Sequence, residues 1–260
     1  MKISVIVPAY QQASTIYRDL AKIEQTLKQT PYDFEIITVV DGGNDNTFKN
    51  AANYKSKRVK VLGYNSNRGK GFAIRYGMSQ AKGDLVSFID AGMDLKATGI
   101  KMLIEHLHWY DADIIVGSKR HPVSKVNYPP VRRVLSFGYQ MLVRLLFGLR
   151  IKDTQAGIKV FRRQVLEKVL PRLLVKQFAF DIEILAVAHR LGYKRIFEAP
   201  IELNFRGKSV LSQNLLRIIF LMLWDTLAVF YRLKILGYYD SKNRRKWILD
   251  PELDFKINTG

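Results

Sequence analysis

The chain of 260 residues contains no cysteine, which excludes disulfide bonds and thiolate metal sites and fits a reducing compartment. Histidine is scarce, with four residues in all. His106 and His108, two apart on a predicted helix, point in different directions and cannot share a metal ion. We therefore expect structural roles for the histidines, and no Ser-His-Asp or Cys-His arrangement indicates a nucleophilic enzyme.

Long hydrophobic runs are also missing. The apolar segment Ile218–Tyr231 has 14 residues, is interrupted by Asp225 and falls short of the ~20 residues that a membrane-spanning helix needs. Met1 leads within a few residues into a predicted strand, so that we expect no signal peptide. The helical spacing of apolar residues over 209–237 predicts an amphipathic helix in the membrane interface, with Lys and Arg at the headgroups. The alternative is a helix packed on the protein core.

Acidic residues are few: 23 aspartates and glutamates stand against 42 lysines and arginines, which gives a net charge of +19. The imbalance is concentrated in residues 117–176, where 14 basic residues accompany only Asp153 and Glu167. Such a basic half indicates an anionic partner, which could be a nucleic acid, a phosphorylated ligand or an anionic membrane. Aromatic residues interleaved with Lys and Arg on one sheet face are not evident, which weighs against nucleic acid.

Hydrophobic residues make up 48% of the chain, as is typical of a globular protein. Short apolar strands alternate with helical segments up to about residue 117, which predicts an α/β fold with a mostly parallel sheet covered by helices on both faces. The predicted strands there are Ile3–Val7, Phe34–Val40, Val59–Gly63, Leu85–Ile89 and Asp113–Val116, with helices over about 13–29, 45–54, 69–81 and 97–109. Further on, we predict helices over about 134–149 and 180–191, strands at Ile158–Phe161 and about 195–203, and a polar tail over 240–260 that frays.

Four motifs fall at the ends of predicted strands or at the start of a predicted helix. They are Val7-Pro8-Ala9-Tyr10-Gln11, Val39-Val40-Asp41-Gly42-Gly43-Asn44-Asp45, Asn67-Arg68-Gly69-Lys70-Gly71 and Phe88-Ile89-Asp90-Ala91-Gly92-Met93-Asp94. A parallel sheet gathers such ends on one edge, where open α/β sheets bind ligands. Carboxylates at this edge can hold a hard divalent cation and, through it, a diphosphate. The amides of a helix start beside Lys70 suit a phosphate.

The order and spacing of these motifs resemble those of family 2 glycosyltransferases with the GT-A fold. Within that family the chain most resembles the polyprenyl-phosphate sugar synthases, the dolichyl-phosphate mannose and glucose synthase group. The resemblance covers about residues 3–210 and includes Gly117-Ser118-Lys119, Asp153-Thr154-Gln155-Ala156-Gly157 and Phe178-Ala179-Phe180-Asp181-Ile182-Glu183. It implies a GT-A catalytic domain over 1–208, with a nucleotide-sugar-binding half (1–117) and an acceptor half (118–208), then the membrane-interface helix over 209–237 and a polar tail over 238–260.

The resemblance also implies roles for individual residues. The residues expected to bind the nucleotide sugar are Pro8, Ala9, Tyr10, Asp41, Asn67, Lys70, Gly71, Asp90 and Ala91. Asp90 and Asp94 are expected to bind Mg²⁺ or Mn²⁺. Asp90, Asp153 and Gln155 are expected to have catalytic roles. The residues expected to contact the acceptor phosphate are Lys119, Arg120, Arg132, Arg206 and Ser209. The sequence departs from the family pattern at Val40 and Gly92, where aspartate is usual, and at Lys119, where arginine is common. Asp94 can replace the ligand lost at Gly92, because a carboxylate two residues on reaches an ion from the same loop.

The implied reaction is an inverting, metal-dependent transfer of a hexose or N-acetylhexosamine from a UDP- or GDP-linked sugar to polyprenyl or dolichyl phosphate. It would take place on the cytoplasmic face of a membrane, with the enzyme bound peripherally. A phosphate monoester with a second pKa of ~6 is already anionic near pH 7, so that the acceptor needs positioning by Arg and Lys more than deprotonation. The alternatives are a family 2 transferase with a glycan or soluble acceptor, a non-catalytic relative, and a nucleic-acid-binding basic protein.

Overall fold

A computed structural model describes residues 1–43, 45–92, 95–127, 130–204, 215–242, 247–251 and 253–258. The strands in the described part are β1 (Lys2–Ala9), β2 (Asp33–Asp41), β3 (Val59–Tyr64), β4 (Leu85–Ile89), β5 (Ile114–Ser118), β6 (Lys125–Asn127), β7 (Ile158–Arg162), β8 (Ile196–Pro200), β9 (Glu202–Asn204), β10 (Trp247–Asp250) and β11 (Phe255–Asn258). The α-helices are α1 (Ile16–Lys28), α2 (Thr47–Ala52), α3 (Lys70–Ser79), α4 (Thr98–Trp109), α5 (Pro130–Phe147), α6 (Arg163–Val169), α7 (Phe180–Arg190) and α8 (Leu215–Phe230).

A sheet of seven strands in the order β3-β2-β1-β4-β7-β5-β8 forms the centre of the protein. β7 is antiparallel to its neighbours β4 and β5, and the other neighbouring strands are parallel. The chain runs outward from β1 to β3 and then returns to β4 on the other side of β1. The carboxyl ends of β1 and β4 therefore lie side by side at a topological switch point, where α/β sheets bind ligands.

Apolar side chains form one core on each face of the sheet. On β1, Val5 and Ile6 are both fully buried and belong to opposite cores, as the two-residue period of a strand requires. One core lies under α1 and α4, and the other lies under α3, α6 and α7 and includes residues of α5 and α8. The prediction of a mixed α/β sheet with helices on both faces is thus confirmed, although β7 makes the sheet less parallel than the sequence indicated.

α8 has a buried side and an exposed side. Thr226 and Val229 are buried, and Val229 belongs to the core under α3 and α7. The opposite side carries exposed apolar and aromatic residues, namely Phe220, Leu221, Trp224 and Leu227, and the stripe continues to Tyr231 in the π-helical turn that follows. Among the described residues, no helix is long and apolar enough to cross a membrane.

The segment after α8 is tied to α7 by a buried carboxylate. Glu183 on α7 is fully buried and accepts hydrogen bonds from the Tyr239 hydroxyl (2.6 Å) and from the amides of Leu174 and Val175 (3.0 and 2.9 Å). Burial raises the pKa of the Glu183 carboxyl above its ordinary value in spite of these donors. At the other end of α7, Arg190 donates two hydrogen bonds of 2.7 Å to Asp240.

The prediction that residues 240–260 fray is wrong for the described part of the tail. β10 and β11 pair as an antiparallel hairpin, and the guanidinium of Arg172 lies over the Trp247 ring at 5.6 Å. The apolar run Trp247-Ile248-Leu249 and the alternation of apolar and polar residues in Phe255–Asn258 are the strand signal that the polar composition of the tail obscured.

We expect Tyr239→Phe to lower the free energy of unfolding by about 1–3 kcal/mol, because it removes the hydroxyl donor of a buried carboxylate and leaves Glu183 Oε1 with the Leu174 amide, which it shares with Oε2. Urea denaturation measures the change. Tyr193→Phe is the matched control, since the Tyr193 hydroxyl donates to the Gln164 carbonyl (3.1 Å) at the surface, and we expect a loss of about 0.5 kcal/mol or less. Equal losses in the two variants would contradict the role of the Glu183–Tyr239 contact.

Candidate active site

Several strands deliver polar residues to one edge of the sheet. Tyr10 follows β1, Asp41 ends β2, Asp90 follows β4 and Lys119 follows β5. Because β7 runs the other way, the loop that precedes it also reaches this edge, and Gly157 accepts a hydrogen bond from the Asp90 amide at 3.0 Å. The antiparallel strand therefore brings the Asp153–Gly157 motif next to the acidic motif.

A cleft of about 370 Å³ opens at this edge, and we call it the sheet-edge cleft. Eight of the nine residues expected to bind a nucleotide sugar line it, namely Pro8, Ala9, Tyr10, Asp41, Asn67, Lys70, Asp90 and Ala91. The ninth, Gly71, packs against α7: a Cβ atom at this position would lie 2.6 Å from Cβ of Phe180. Gly71 therefore allows the close approach of α3 to α7 and is not among the lining residues.

Asp41 fixes the glycine-rich loop in front of α3. Its carboxylate accepts hydrogen bonds from the amides of Arg68 (2.7 Å) and Gly69 (3.0 Å). Gly69 has a φ of 101°, and a Cβ atom there would lie 2.4 Å from the Lys176 carbonyl oxygen. A larger residue would be strained and would clash, so the loop that starts α3 depends on this glycine.

The Asp90 carboxylate is held in a confined position. Its Oδ2 accepts a hydrogen bond from the Lys70 ammonium at 2.8 Å. Its Oδ1 is buried and has no hydrogen-bond partner among the described residues. The side chain rests against Gly157, where a Cβ atom would lie only 2.0 Å from Asp90 Oδ2. The next turn is fixed from α1, because the Gly92 amide donates to Asp19 Oδ2 at 2.9 Å.

The carboxylate oxygens at this edge are compatible with a divalent cation. Mg²⁺ is usually bound by one or two carboxylates together with substrate phosphates and water, and the unpartnered Oδ1 of Asp90 offers one such carboxylate oxygen. The described residues contain no group of three His, Cys, Asp or Glu side chains that could hold a metal ion. The second expected ligand, Asp94, lies outside the described residues.

Behind Asp90, ammonium and carboxylate groups alternate. Lys70 Nζ lies 3.8 Å from Asp181 Oδ2, and the other oxygen of Asp181 accepts a hydrogen bond from the fully buried Lys159. Lys159 also donates to the Ala156 carbonyl at 2.9 Å. Burial opposes the charge of Lys70, but the carboxylates of Asp90 and Asp181 raise its pKa above the ordinary value. Burial lowers the pKa of Lys159 in spite of its contact with Asp181.

Sequence reasoning missed the role of Lys159, and it named no partner for Asp181. The available signal was a lysine inside the apolar strand Ile158–Arg162, which resembles a solvent-facing strand position. In the fold this position points into the protein, where only a paired ammonium is stable.

A second cavity of about 550 Å³, here called the helix cavity, lies between α5 and α8. Its floor is polar and is formed by Lys70, Asp90, Lys119, Gln155 and Asp181. Its walls are mostly apolar and come from Leu135, Ser136, Gly138, Tyr139, Leu142, Phe178, Ile218, Ile219, Met222 and Leu223. The residues shared with the sheet-edge cleft, which include Lys70 and Asp90, place the two spaces side by side.

Asp153 holds Lys119 at this floor. Its Oδ2 accepts hydrogen bonds from the Lys119 amide (2.9 Å) and lies 3.2 Å from the Lys119 ammonium, while its Oδ1 accepts from the Gln155 amide (3.2 Å). Both carboxylate oxygens are therefore engaged. The Gln155 side-chain nitrogen Nε2 is buried and has no hydrogen-bond partner within the described part of the chain.

The other residues expected at an acceptor phosphate are placed less directly. The Arg120 guanidinium donates to Gln140 and to Ser136 (3.1 Å), so that it clamps α5 and is not among the residues that line the cavity. The side chain of Arg132 and the residues Arg206 and Ser209 lie outside the described part.

The fold and the site define the general class: an α/β protein with a polar cleft at the carboxyl edge of its sheet, lined by Asp41, Lys70 and Asp90. The chain belongs to glycosyl transferase family 2, whose sequence profile matches residues 4–170. A dolichyl-phosphate beta-glucosyltransferase of Drosophila melanogaster is 35% identical over 211 residues, which cover 74% of this chain and 64% of that protein. The chain thus spans a little under two thirds of the length of this relative and of several similar ones.

Solved structures share the fold at low sequence identity. Mannosyl-3-phosphoglycerate synthase from Rubrobacter xylanophilus superposes with a TM-score of 0.67 at 17% identity, covering 100% of this chain and 84% of that one. Glucosyl-3-phosphoglycerate synthase from Mycobacterium tuberculosis, solved with Mn²⁺, UDP and phosphoglyceric acid, gives a TM-score of 0.64 at 19% identity, with 99% of this chain and 86% of that one covered. The predicted family and fold class are confirmed.

We expect Gly157→Ala to destabilise the protein by about 1–3 kcal/mol, because the added methyl group forces Asp90 away from Lys70. Gly138→Ala on α5 is the control, since a Cβ atom there has no neighbour within 4 Å, and the gain in helix propensity makes it neutral or slightly stabilising. Urea denaturation of both variants measures the difference. A Gly157→Ala protein as stable as the parent would contradict the close seating of Asp90 against this glycine.

Proposed function

We propose that the protein transfers glucose, with inversion, from UDP-glucose to a polyprenyl phosphate such as dolichyl phosphate. The observation that carries the proposal is the helix cavity, because it combines a lysine- and carboxylate-bearing floor with long apolar walls and adjoins the sheet-edge cleft. An acceptor with an anionic head and a hydrocarbon chain fits that combination. The relatives named dolichyl-phosphate beta-glucosyltransferases support the sugar and the lipid, and the UDP complexes of the structural neighbours support the nucleotide.

In this proposal the nucleotide sugar lies in the sheet-edge cleft. Pro8, Ala9, Tyr10 and Asp41 contact the nucleoside, and Asn67 and Lys70 lie toward the diphosphate. Asp90 and Asp94 would hold Mg²⁺ or Mn²⁺, which would supply positive charge against the charge that builds up on the departing diphosphate. The Lys70 ammonium adds a second positive charge on the same side.

The acceptor phosphate lies at Lys119, at the floor of the helix cavity. Lys119 is positioned by Asp153, whose two oxygens are both occupied, so that Asp153 acts as a positioning residue and a separate base is not needed for an anionic phosphate. Gln155 offers its unpartnered side-chain amide to the same space. Arg120 orders α5, and Arg132, Arg206 and Ser209 complete the proposed phosphate site.

The exposed stripe of α8 supports binding to a membrane surface. Phe220 and Trp224 are each 64% exposed and lie on the same side of α8. The other face of this helix lines the helix cavity and packs on the core. Together with a net charge of +19 this face suits the anionic cytoplasmic leaflet, and the absence of cysteine suits the same reducing side. We therefore propose a peripheral enzyme whose acceptor enters from the bilayer between α5 and α8.

We expect UDP release from UDP-glucose that depends on a short polyprenyl phosphate and on Mg²⁺ or Mn²⁺, with Asp90→Asn reducing turnover by about 100-fold or more. A screen of UDP- and GDP-sugars with and without the lipid measures it. Asp111→Asn is the matched control: Asp111 is exposed and pairs with Arg162 and Arg195 away from the cleft, and this variant should keep full turnover.

The other outcomes of the screen are informative. Turnover with 3-phosphoglycerate or a glycan in place of the lipid would contradict the proposed acceptor and favour a soluble one. No release from any donor with either cation would contradict the enzyme assignment and point to a non-catalytic relative.

We expect Phe220→Ser/Trp224→Ser to weaken binding to anionic liposomes by about tenfold or more, since two large apolar side chains lose their burial in the bilayer interface. Co-sedimentation with vesicles measures the partition. Trp109→Ser/Phe197→Ser removes the same two residue types from an exposed site on α4 and β8 and should leave binding unchanged. Equal weakening in both pairs would contradict a specific role of α8.

A further inference from the structure

Lys70 stands in direct contact with the carboxylate that the proposed function assigns to the divalent cation. Its ammonium donates to Asp90 Oδ2 at 2.8 Å, which is the short distance of a charge-assisted hydrogen bond. A cation bound to Asp90 in this arrangement would face a positive charge at contact range, where repulsion is strong. The lysine and the cation therefore compete for one carboxylate.

We propose that Lys70 takes the place of the divalent cation at Asp90 while the nucleotide site is empty, and that it moves to Asp181 and the diphosphate when cation and nucleotide bind together. The proposal rests on the cation and nucleotide parts of the proposed function and is independent of the acceptor. It makes Lys70 a positioning residue that couples the binding of the two ligands.

The structure supplies a second position for the ammonium. Asp181 Oδ2 lies 3.8 Å from Lys70 Nζ, so that a shift of about 1 Å brings the pair to hydrogen-bond distance. The Asp181 carboxylate stays in place when Lys70 moves, because its other oxygen is held by the buried Lys159. The backbone in front of Lys70 is fixed by the contacts of Asp41 with Arg68 and Gly69, so that the movement is confined to the flexible side-chain stem.

The consequence is a coupling between the two ligands. The cation alone must displace Lys70 from Asp90 toward Asp181, whose charge Lys159 already shares, and therefore binds weakly. A nucleoside diphosphate brings negative charges that attract Lys70 away from Asp90, and the freed carboxylate then accepts the cation. By linkage, each ligand raises the affinity of the other by the same factor.

The test is a titration with Mn²⁺ alone, in which the electron paramagnetic resonance signal of free Mn²⁺ reports binding to the protein. We expect Lys70→Gln to bind Mn²⁺ about tenfold more tightly than the parent, within the usual 5- to 150-fold range of such couplings. Lys70→Arg keeps the charge and should bind as weakly as the parent. Lys119→Gln removes a charge from the same floor. Because the native Lys119 pairs with Asp153 and not with Asp90, the Mn²⁺ affinity of this variant should stay within about twofold of the parent.

Two further measurements locate the effect. Asp90→Asn/Lys70→Gln should lose the tightened Mn²⁺ binding, which places the ion at Asp90. Calorimetric titration with UDP, with and without saturating Mn²⁺, should show a smaller enhancement by Mn²⁺ in Lys70→Gln than in the parent.

Mn²⁺ affinity in Lys70→Gln no higher than in the parent would overturn the proposal, as would an equal gain in Lys119→Gln. Absence of Mn²⁺ binding by every variant, with or without UDP, would overturn it as well. None of these measurements contains an acceptor, so that failure of lipid-dependent transfer in the donor screen would leave the exchange at Asp90 standing.

Discussion

The candidate site depends on the contacts that the Asp181 carboxylate makes with Lys159 and Lys70. Lys159 on β7 is fully buried, and a buried ammonium without a partner is strongly unfavourable. Asp181, in the first turn of α7, supplies the opposite charge to Lys159 and faces Lys70 at the first residue of α3. One carboxylate thereby joins the antiparallel strand, two helices and, through Lys70, the Asp90 position after β4. Without it, two ammonium groups would face each other inside the protein.

Much of the fold and of the cleft could be predicted from the sequence because both rest on local patterns. β1 and β4 are mostly apolar, and their polar continuations fall at the carboxyl edge that parallel strands share. The motifs at Pro8, Asp41 and Asp90 are far apart in the chain, yet this rule predicts that they meet, and they line one cleft. The turn chemistry at Gly69 was equally readable, since a glycine before a helix start is a local feature.

The remaining features depend on pairings between distant parts of the chain, which no local pattern specifies. The insertion of β7 between β4 and β5 seats Gly157 against Asp90, and the strand pattern of Ile158–Arg162 is the same whichever neighbours it has. Glu183 finds its hydroxyl donor at Tyr239, 56 residues further on. These contacts involve side chains whose types are ordinary at the surface, so that only the fold shows that they are buried.

The pairing of internal charges explains how a strongly basic half can enclose an apolar cavity. Lys119 and Lys159 are each matched by a carboxylate, Asp153 and Asp181, so that the floor of the helix cavity carries little unpaired charge. The basic excess of this half is therefore left on exposed residues such as Arg144, Arg150 and Lys168, on the same half as the apolar walls of α5. A nucleic acid would be attracted by that charge, but it would leave the apolar cavity unexplained. In the proposed function a lipid phosphate would use both, because Lys119 would receive its head and the apolar walls would receive its chain, while the surface charge would hold the protein at an anionic membrane.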